Sequence, residues 1–117
     1  MQYLTKLFYF CAAHRYGHED WTAEKNTEVF GDDAKIHGHN YTLEITVKGS
    51  INPETGFIVD LVELKKIVKN NILDIMDHSQ IEKDIPWFKD KQPSSENMVV
   101  FIWEMIASKL IDCTLHR

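Results

Sequence analysis

The stretch HGHNYTLEITVK, residues 37–48, alternates between two classes of side chain more regularly than any other part of the chain. Because successive side chains of a β-strand point to opposite faces, this alternation predicts a strand with one apolar face and one polar face. The apolar face begins with two histidines and continues with aromatic and aliphatic residues: His37, His39, Tyr41, Leu43, Ile45 and Val47. The stretch therefore predicts a sheet with a pair of histidines at one end.

Two histidines separated by one residue on a strand can bind a metal ion together. His14, at the end of an earlier apolar stretch, is the candidate for a third ligand. Three neutral imidazoles suit Zn²⁺ and leave a fourth coordination position open, which is typical of a catalytic zinc site. The spacing alone leaves a second interpretation open, in which these are ordinary surface or core histidines.

The bulk composition excludes several classes of protein. A chain of 117 residues with 44% hydrophobic and 26% charged residues is of the size and composition of one globular domain. A net charge of −5 argues against a nucleic-acid or anionic-membrane binder, which would carry a surplus of Lys and Arg. The two cysteines, Cys11 and Cys113, form no disulfide or zinc motif, which favours a reducing, cytoplasmic compartment. We expect neither a signal peptide nor a membrane-spanning helix.

The first half of the chain predicts a strand and a long loop. Residues 2–14 are rich in β-favouring aromatic residues and are apolar on both parities, which predicts a strand covered on both sides, by helices on one and by a second subunit on the other. Residues 15–36 predict a loop that forms the wall of a pocket, with 22–30 as a possible short helix.

The second half predicts two helices. Asp60 is expected to cap the first, whose apolar stripe would be Leu61, Leu64, Val68, Ile72 and Ile75. A serine in Pro93-Ser94-Ser95-Glu96 is expected to cap the second. Its apolar stripe, expected in the core, would be Val99, Ile102, Trp103, Ile106 and Leu110. Residues 111–117 are too short for a prediction.

Six motifs in one order carry a resemblance to a known family. They are FCAAHR at residues 10–15, FG at 30–31, HGHNY at 37–41, TGFIVD at 55–60, DH at 77–78 and PSSEN at 93–97. In this combination the chain resembles the 6-pyruvoyl-tetrahydropterin synthases and the bacterial 6-carboxytetrahydropterin synthases. Each motif alone is weak, but together they span nearly the whole chain.

The resemblance implies a fold and an assembly. The fold would be the α+β tunnelling fold, one domain over residues 1–117, in which an antiparallel sheet carries two helices on one face. Such chains associate through their sheets into barrel-like trimers that usually pair into hexamers.

The resemblance also implies a reaction and a set of site residues. Zn²⁺ would be held by His14, His37 and His39, and the substrate would be 7,8-dihydroneopterin triphosphate, which loses triphosphate while its side chain rearranges. His78 would act as acid and base with Asp77 as its companion, although without the resemblance this pair would be interpreted as a polar helix end. Ser95 and Glu96 would contact the pterin.

Two departures from the family pattern qualify this prediction. The family's cysteine, a few residues before the H-x-H pair, is replaced by Asp33, and the odd offset of Cys11 from His14 points that thiol to the opposite face of its strand. Related proteins with an acidic residue here are linked to cleavage of the side chain to 6-hydroxymethyl-dihydropterin for folate synthesis, and a catalytically silent zinc- or pterin-binding homologue is a third alternative. The second departure is that the sequence stops at Arg117, before the family's last strand with its pterin-anchoring glutamate. Two alternatives stay open: the sequence is incomplete, or the pocket lacks this strand.

Overall fold

The sheet is built from two long strands and one short strand. The computed structural model describes all residues 1–117. Strand β1, Gln2–His14, pairs antiparallel with β2, His37–Gly49, in a register that runs from Gln2 opposite Gly49 to His14 opposite His37. Strand β3, Thr114–Leu115, pairs antiparallel with the far edge of β2, so that the strand order is β1-β2-β3. The predicted antiparallel sheet is confirmed.

Five short helices and three 3₁₀ turns complete the chain. The α-helices are α1 (Ala23–Phe30), α2 (Leu61–Val68), α3 (Asp74–Met76), α4 (Ile81–Asp84) and α5 (Ser95–Ile106). The 3₁₀ turns are Gly31–Ala34, Pro86–Phe88 and Ala107–Lys109. Buried residues of α2 and α5 form one core with residues from a single face of the sheet. This agrees with the α+β prediction.

The core lies between the helices and one face of the sheet. Phe8, Phe10 and Ala12 of β1 alternate with more exposed neighbours, which shows that this parity faces the helices. His14 continues the same parity and is buried. The end of the core-facing side of the sheet is therefore where the histidines meet.

The predicted stripe of the first helix is displaced at its end because a π-helical segment follows α2. Asp60 caps it, as predicted, by accepting a hydrogen bond from the Val62 N–H at 2.9 Å. Lys69–Leu73 are π-helical and widen the helix by about one residue before α3. The buried position therefore moves from Ile75, which is 37% exposed, to Met76, which is 0% exposed. Leu61, in the first turn, is also exposed, so both ends of the predicted stripe were wrong.

Helix α5 presents a different face to the core from the one predicted. Ser94 caps it by accepting a hydrogen bond from the Asn97 N–H. Val99 and Trp103 are 64% and 43% exposed, so their assignment to the core was wrong, and Leu110 lies beyond the helix. The buried residues are Met98, Phe101, Ile102 and Ile106.

The loop between β1 and β2 contains the short helix that residues 22–30 predicted. Thr22 caps α1 by accepting a hydrogen bond from the Lys25 N–H. Gly31 ends the helix with φ +61° and ψ −134°, a conformation open essentially to glycine alone, and the chain turns there toward His37.

None of the helices has the length and apolar character needed to span a membrane.

Candidate metal centre and active site

Three histidines come together at the end of the paired strands. His14 lies directly opposite His37, and His39 lies two residues further along β2, opposite Ala12. Their ring centroids are 4.5 Å apart for His14 and His37, 5.1 Å for His14 and His39, and 5.0 Å for His37 and His39. One nitrogen from each ring lies within 4.8 Å of the other two. The strand register thus assembles the three residues that the sequence singled out as ligands.

Backbone carbonyls orient two of these rings. Nδ1 of His14 lies 2.7 Å from the Pro93 carbonyl oxygen, and Nδ1 of His37 lies 2.8 Å from that of Lys35. A carbonyl can only accept, so each Nδ1 carries the proton and Nε2 keeps its lone pair. Metal-binding histidines are commonly held in this way. The segment before α5 therefore serves the cluster as well as the helix.

Burial keeps the His14 imidazole in its neutral form. Desolvation lowers the pKa of His14, and the nearby His37 and His39 act in the same direction, while the hydrogen bond to Pro93 and the Glu82 carboxylate oppose them. A metal ion binds the neutral imidazole, so this shift leaves the ring ready to act as a ligand.

Tyr41 adds a polar group that sequence reasoning missed. It follows His39 on the same face of β2, its ring stacks on Phe10 at 5.0 Å, and it meets the His39 ring edge-on at 5.7 Å. Its hydroxyl is buried and has no hydrogen-bond partner in the protein. Buried hydroxyls are nearly always paired with a protein group, a water or a ligand, so this one is a candidate contact for a molecule bound next to Tyr41. Its place in the alternating stretch, two residues after His39, is the signal that could have found it.

Asp33 lies on the loop side of the cluster. Its Oδ1 is 3.9 Å from Nε2 of His37, and its backbone carbonyl accepts a hydrogen bond from the Tyr16 N–H at 2.8 Å. Burial raises the pKa of Tyr16, and the charges of Asp33 and Glu96 add to the effect. Glu96 and Ser95 are exposed in the first turn of α5. The structure therefore places both carboxylates near Tyr16, which lies 5.2 Å from the His14 ring.

Asp77 and His78 lie on the other side of β1. The His78 N–H donates to the Cys11 carbonyl at 2.6 Å, and the Ala13 N–H donates to the Ser79 carbonyl at 2.7 Å, so this segment docks along the free edge of β1. Both side chains contact Cys11, whose side chain leaves β1 on the face opposite His14. The prediction about the direction of Cys11 agrees with this placement, but the thiol lies beside the predicted acid–base pair rather than away from the site.

An open groove connects Cys11 and His78 with the three-histidine cluster. It has a volume of about 410 Å³, is lined by Cys11, Ala13, Gly38 and His78, and extends to His39. At Gly38 an added Cβ would meet only the Ala12 carbonyl oxygen, at 3.6 Å, so the groove is open there because the residue between the histidines has no side chain. A small molecule in this groove can contact His39 and His78 at once.

The family of the chain follows from comparison with known proteins. A family model described as 6-pyruvoyl tetrahydropterin synthase matches residues 3–117. The chain belongs to this family. The predicted resemblance is thereby confirmed.

Individual members of the 6-pyruvoyl tetrahydropterin synthase family agree with this assignment. The 6-pyruvoyl tetrahydrobiopterin synthase of Poecilia reticulata is 39% identical over 110 residues, which is 92% of this chain and 75% of that protein. The corresponding protein of Homo sapiens is 36% identical over 92% of this chain and 76% of its own length. The structure of the Caenorhabditis elegans 6-pyruvoyl tetrahydropterin synthase matches with a TM-score of 0.83 at 33% identity, over 92% of this chain and 77% of that chain.

Proposed function

We propose that this protein is a zinc-dependent enzyme that converts 7,8-dihydroneopterin triphosphate by eliminating triphosphate and rearranging the side chain to a 6-pyruvoyl or 6-carboxy pterin. The observation that carries the proposal is the three-histidine cluster, with two rings fixed by backbone carbonyls, in a chain of the tetrahydropterin synthase family. The free thiols of Cys11 and Cys113 fit a reducing, cytoplasmic setting.

The donor set of the cluster fits zinc. His14, His37 and His39 offer three imidazole nitrogens that lie within 4.8 Å of one another. Zinc bound there would supply a Lewis acid that polarises the side-chain oxygens of the substrate. The Tyr41 hydroxyl is the proposed hydrogen-bond donor to an oxygen of the ligand, because it has no partner in the protein and burial raises its pKa further.

Proton transfer falls to groups of the protein itself. His78 is the proposed acid and base, because imidazole can take up and release a proton near neutral pH. Asp77 orients it, since its Oδ2 lies 3.0 Å from Nδ1 of His78. The Cys11 N–H is the main cause that lowers the pKa of Asp77, with the His78 hydrogen bond adding to it and desolvation opposing, so Asp77 stays an acceptor. Ser95 and Glu96 are the proposed pterin contacts at the start of α5.

We also propose a homo-oligomer, a trimer or hexamer that associates through the sheet. The face of β1 that lacks helices carries Tyr3, Leu7 and Tyr9, which are 58%, 40% and 68% exposed. The radius of gyration is 17.2 Å, against about 13 Å expected for a compact domain of this length. An elongated chain with an apolar sheet face left uncovered supports association of copies through that face.

A second function is favoured by the position of Asp33. A carboxylate 3.9 Å from a candidate zinc ligand can act as the base where the family has a cysteine. In related proteins with an acidic residue here, the side chain is cleaved to 6-hydroxymethyl-dihydropterin. The two reactions share a substrate and differ in product, so one assay separates them.

The test is incubation of the zinc-loaded protein with 7,8-dihydroneopterin triphosphate and chromatographic separation of the pterins. A 6-pyruvoyl or 6-carboxy product would support the first function, and 6-hydroxymethyl-dihydropterin the second. Asp33→Asn should abolish the second reaction, whereas Asp32→Asn is the matched control because the Asp32 side chain is fully exposed. Pterin binding without any product would identify a catalytically silent homologue and refute both proposals.

A further inference from the structure

A thiol, an imidazole and a carboxylate meet beside the free edge of β1. The Cys11 Sγ lies 3.8 Å from Nε2 and 4.0 Å from Nδ1 of His78, and 3.7 Å from Oδ1 of Asp77. These distances lie in the range of hydrogen bonds that involve sulfur. The group therefore consists of these three side chains alone. The group is separate from the three-histidine cluster.

Asp77 fixes the orientation of the imidazole. Its Oδ1 accepts the Cys11 N–H at 2.9 Å, and its Oδ2 lies 3.0 Å from Nδ1 of His78. A carboxylate in this position favours the tautomer with the proton on Nδ1, which leaves the lone pair of Nε2 available to the thiol. The order carboxylate, imidazole, thiol is the arrangement that activates a cysteine nucleophile or base.

The backbone of His78 is held in a conformation that is unusual for a residue with a side chain. Its φ is +61°, and it is the sole non-glycine residue of the chain with positive φ. Its N–H bond to the Cys11 carbonyl and the neighbouring bond from Ala13 to Ser79 maintain this conformation. Such strain is typical of functional sites, and here it turns the imidazole toward Cys11.

We propose that Cys11 is a further catalytic residue, a thiol activated by His78 and Asp77 at the groove. The assignment of a reaction to this thiol rests on the proposed function. The S–H proton moves to Nε2 of His78 and its electron pair stays on sulfur. The thiolate then takes a proton from a side-chain carbon of the bound pterin, the C–H electron pair forms a double bond to the next carbon as the C–O bond to triphosphate breaks, and the imidazolium gives its Nε2 proton to the departing triphosphate oxygen. The net change is the elimination of triphosphate, with both protein groups restored.

The groove gives this thiol access to substrate. Cys11 and His78 line the same groove, and it extends to His39 of the three-histidine cluster. Cys113 offers the contrast, because it has no imidazole partner, and burial and the Asp112 charge raise the pKa of its thiol. The chain therefore contains one thiol with an activating group and one without.

The first test measures thiol reactivity and needs no substrate. Metal-free protein is treated with iodoacetamide at neutral pH, and alkylation of each cysteine is followed by peptide mass spectrometry. Cys11 should react about tenfold faster than Cys113, and His78→Asn should slow Cys11 about tenfold while leaving Cys113 unchanged. Asn is the right replacement because it tolerates positive φ but cannot accept the thiol proton at neutral pH. Equal rates at Cys11 in the two proteins would overturn the activation.

The second test measures turnover. Cys11→Ser keeps the backbone N–H bonded to Asp77 and should lower kcat about 100-fold with little change in KM, whereas Cys113→Ser should leave both unchanged. Full turnover by Cys11→Ser would overturn the catalytic role. If the wild-type protein converted no pterin, the proposed function would fail, and the alkylation rates would still decide whether His78 activates Cys11.

Discussion

The unpaired hydroxyl of Tyr41 predicts that one substitution stabilises the metal-free protein and weakens its ligand binding. In Tyr41→Phe the ring keeps its contacts with Phe10 and His39, and only the buried hydroxyl is lost. A buried hydroxyl without a partner costs about 1–3 kcal/mol, so its removal should raise the free energy of unfolding by about 1 kcal/mol. For a chain of this length that corresponds to a rise in Tm of about 4 °C.

The same substitution should weaken ligand binding at the three-histidine cluster. If the hydroxyl donates to an oxygen of the bound pterin, its loss removes a hydrogen bond worth about 1.4 kcal/mol, or tenfold in affinity. Urea unfolding with a chelator present measures the first effect, and calorimetric titration of the zinc-loaded protein with neopterin measures the second. The opposite signs of the two effects separate a ligand contact from a packing contact.

Ser108→Ala is the control. Ser108 is exposed in the 3₁₀ turn Ala107–Lys109, so its hydroxyl is already in water and its removal should change the unfolding free energy by less than about 0.5 kcal/mol. Destabilisation of the metal-free protein by Tyr41→Phe would show that the hydroxyl already has a partner in the protein, and unchanged neopterin affinity would show that the ligand does not accept its hydrogen bond. Either result would refute the reasoning.

Three further predictions test the metal centre and the helices. Zinc affinity should fall as the pH is lowered from 7.5 to 5.5, because the imidazole ligands must be neutral to bind; calorimetry that gave a flat affinity over this range would contradict histidine ligation. Ser94→Ala should cost about 1 kcal/mol in urea unfolding through loss of the α5 cap, whereas an equal loss in Ser95→Ala would place the cap elsewhere. Met76→Ala should destabilise by about 2–5 kcal/mol and Ile75→Ala by clearly less, because the π-helical segment buries Met76; the reverse order would mean a regular α-helical register.

The strands could be predicted from the sequence because a helix does not produce a strict alternation of apolar and polar residues. The alternation after His37 fixes which side chains share a face, and the observed burial of Ile45 and Val47 follows it. The helix stripes were harder to predict for physical reasons. A π-helical segment leaves no mark in a hydrophobic pattern, so the shift from Ile75 to Met76 could not be anticipated. Helix α5 is apolar around most of its circumference, and only tertiary packing selects its buried face.

The candidate site, too, could be predicted from the sequence only in part. The spacing of His37 and His39 is enough to place both side chains on the same face of a strand. The choice of His14 as their partner also required the register between two strands, which an alternating pattern does not determine. The contact of Cys11 with His78 was harder still to predict from the sequence. Parity gave the direction of the thiol correctly, but the segment that meets it docks through backbone hydrogen bonds between residues 11–13 and 78–79, which any sequence could form.

Under the proposed function, the replacement of the family's cysteine has a structural interpretation. Zinc held by three neutral imidazoles carries two positive charges, and a carboxylate nearby offsets part of that charge. Asp33 stands 3.9 Å from His37 and can do this, but a carboxylate is a weaker base than a thiolate. The thiol of this chain lies instead at Cys11, beside the imidazole that would accept its proton. We therefore expect charge compensation and proton removal, which one cysteine near the histidines could combine, to fall to Asp33 and Cys11 separately in this chain. Substrate must therefore span the groove from His39 to His78 for both to act on it.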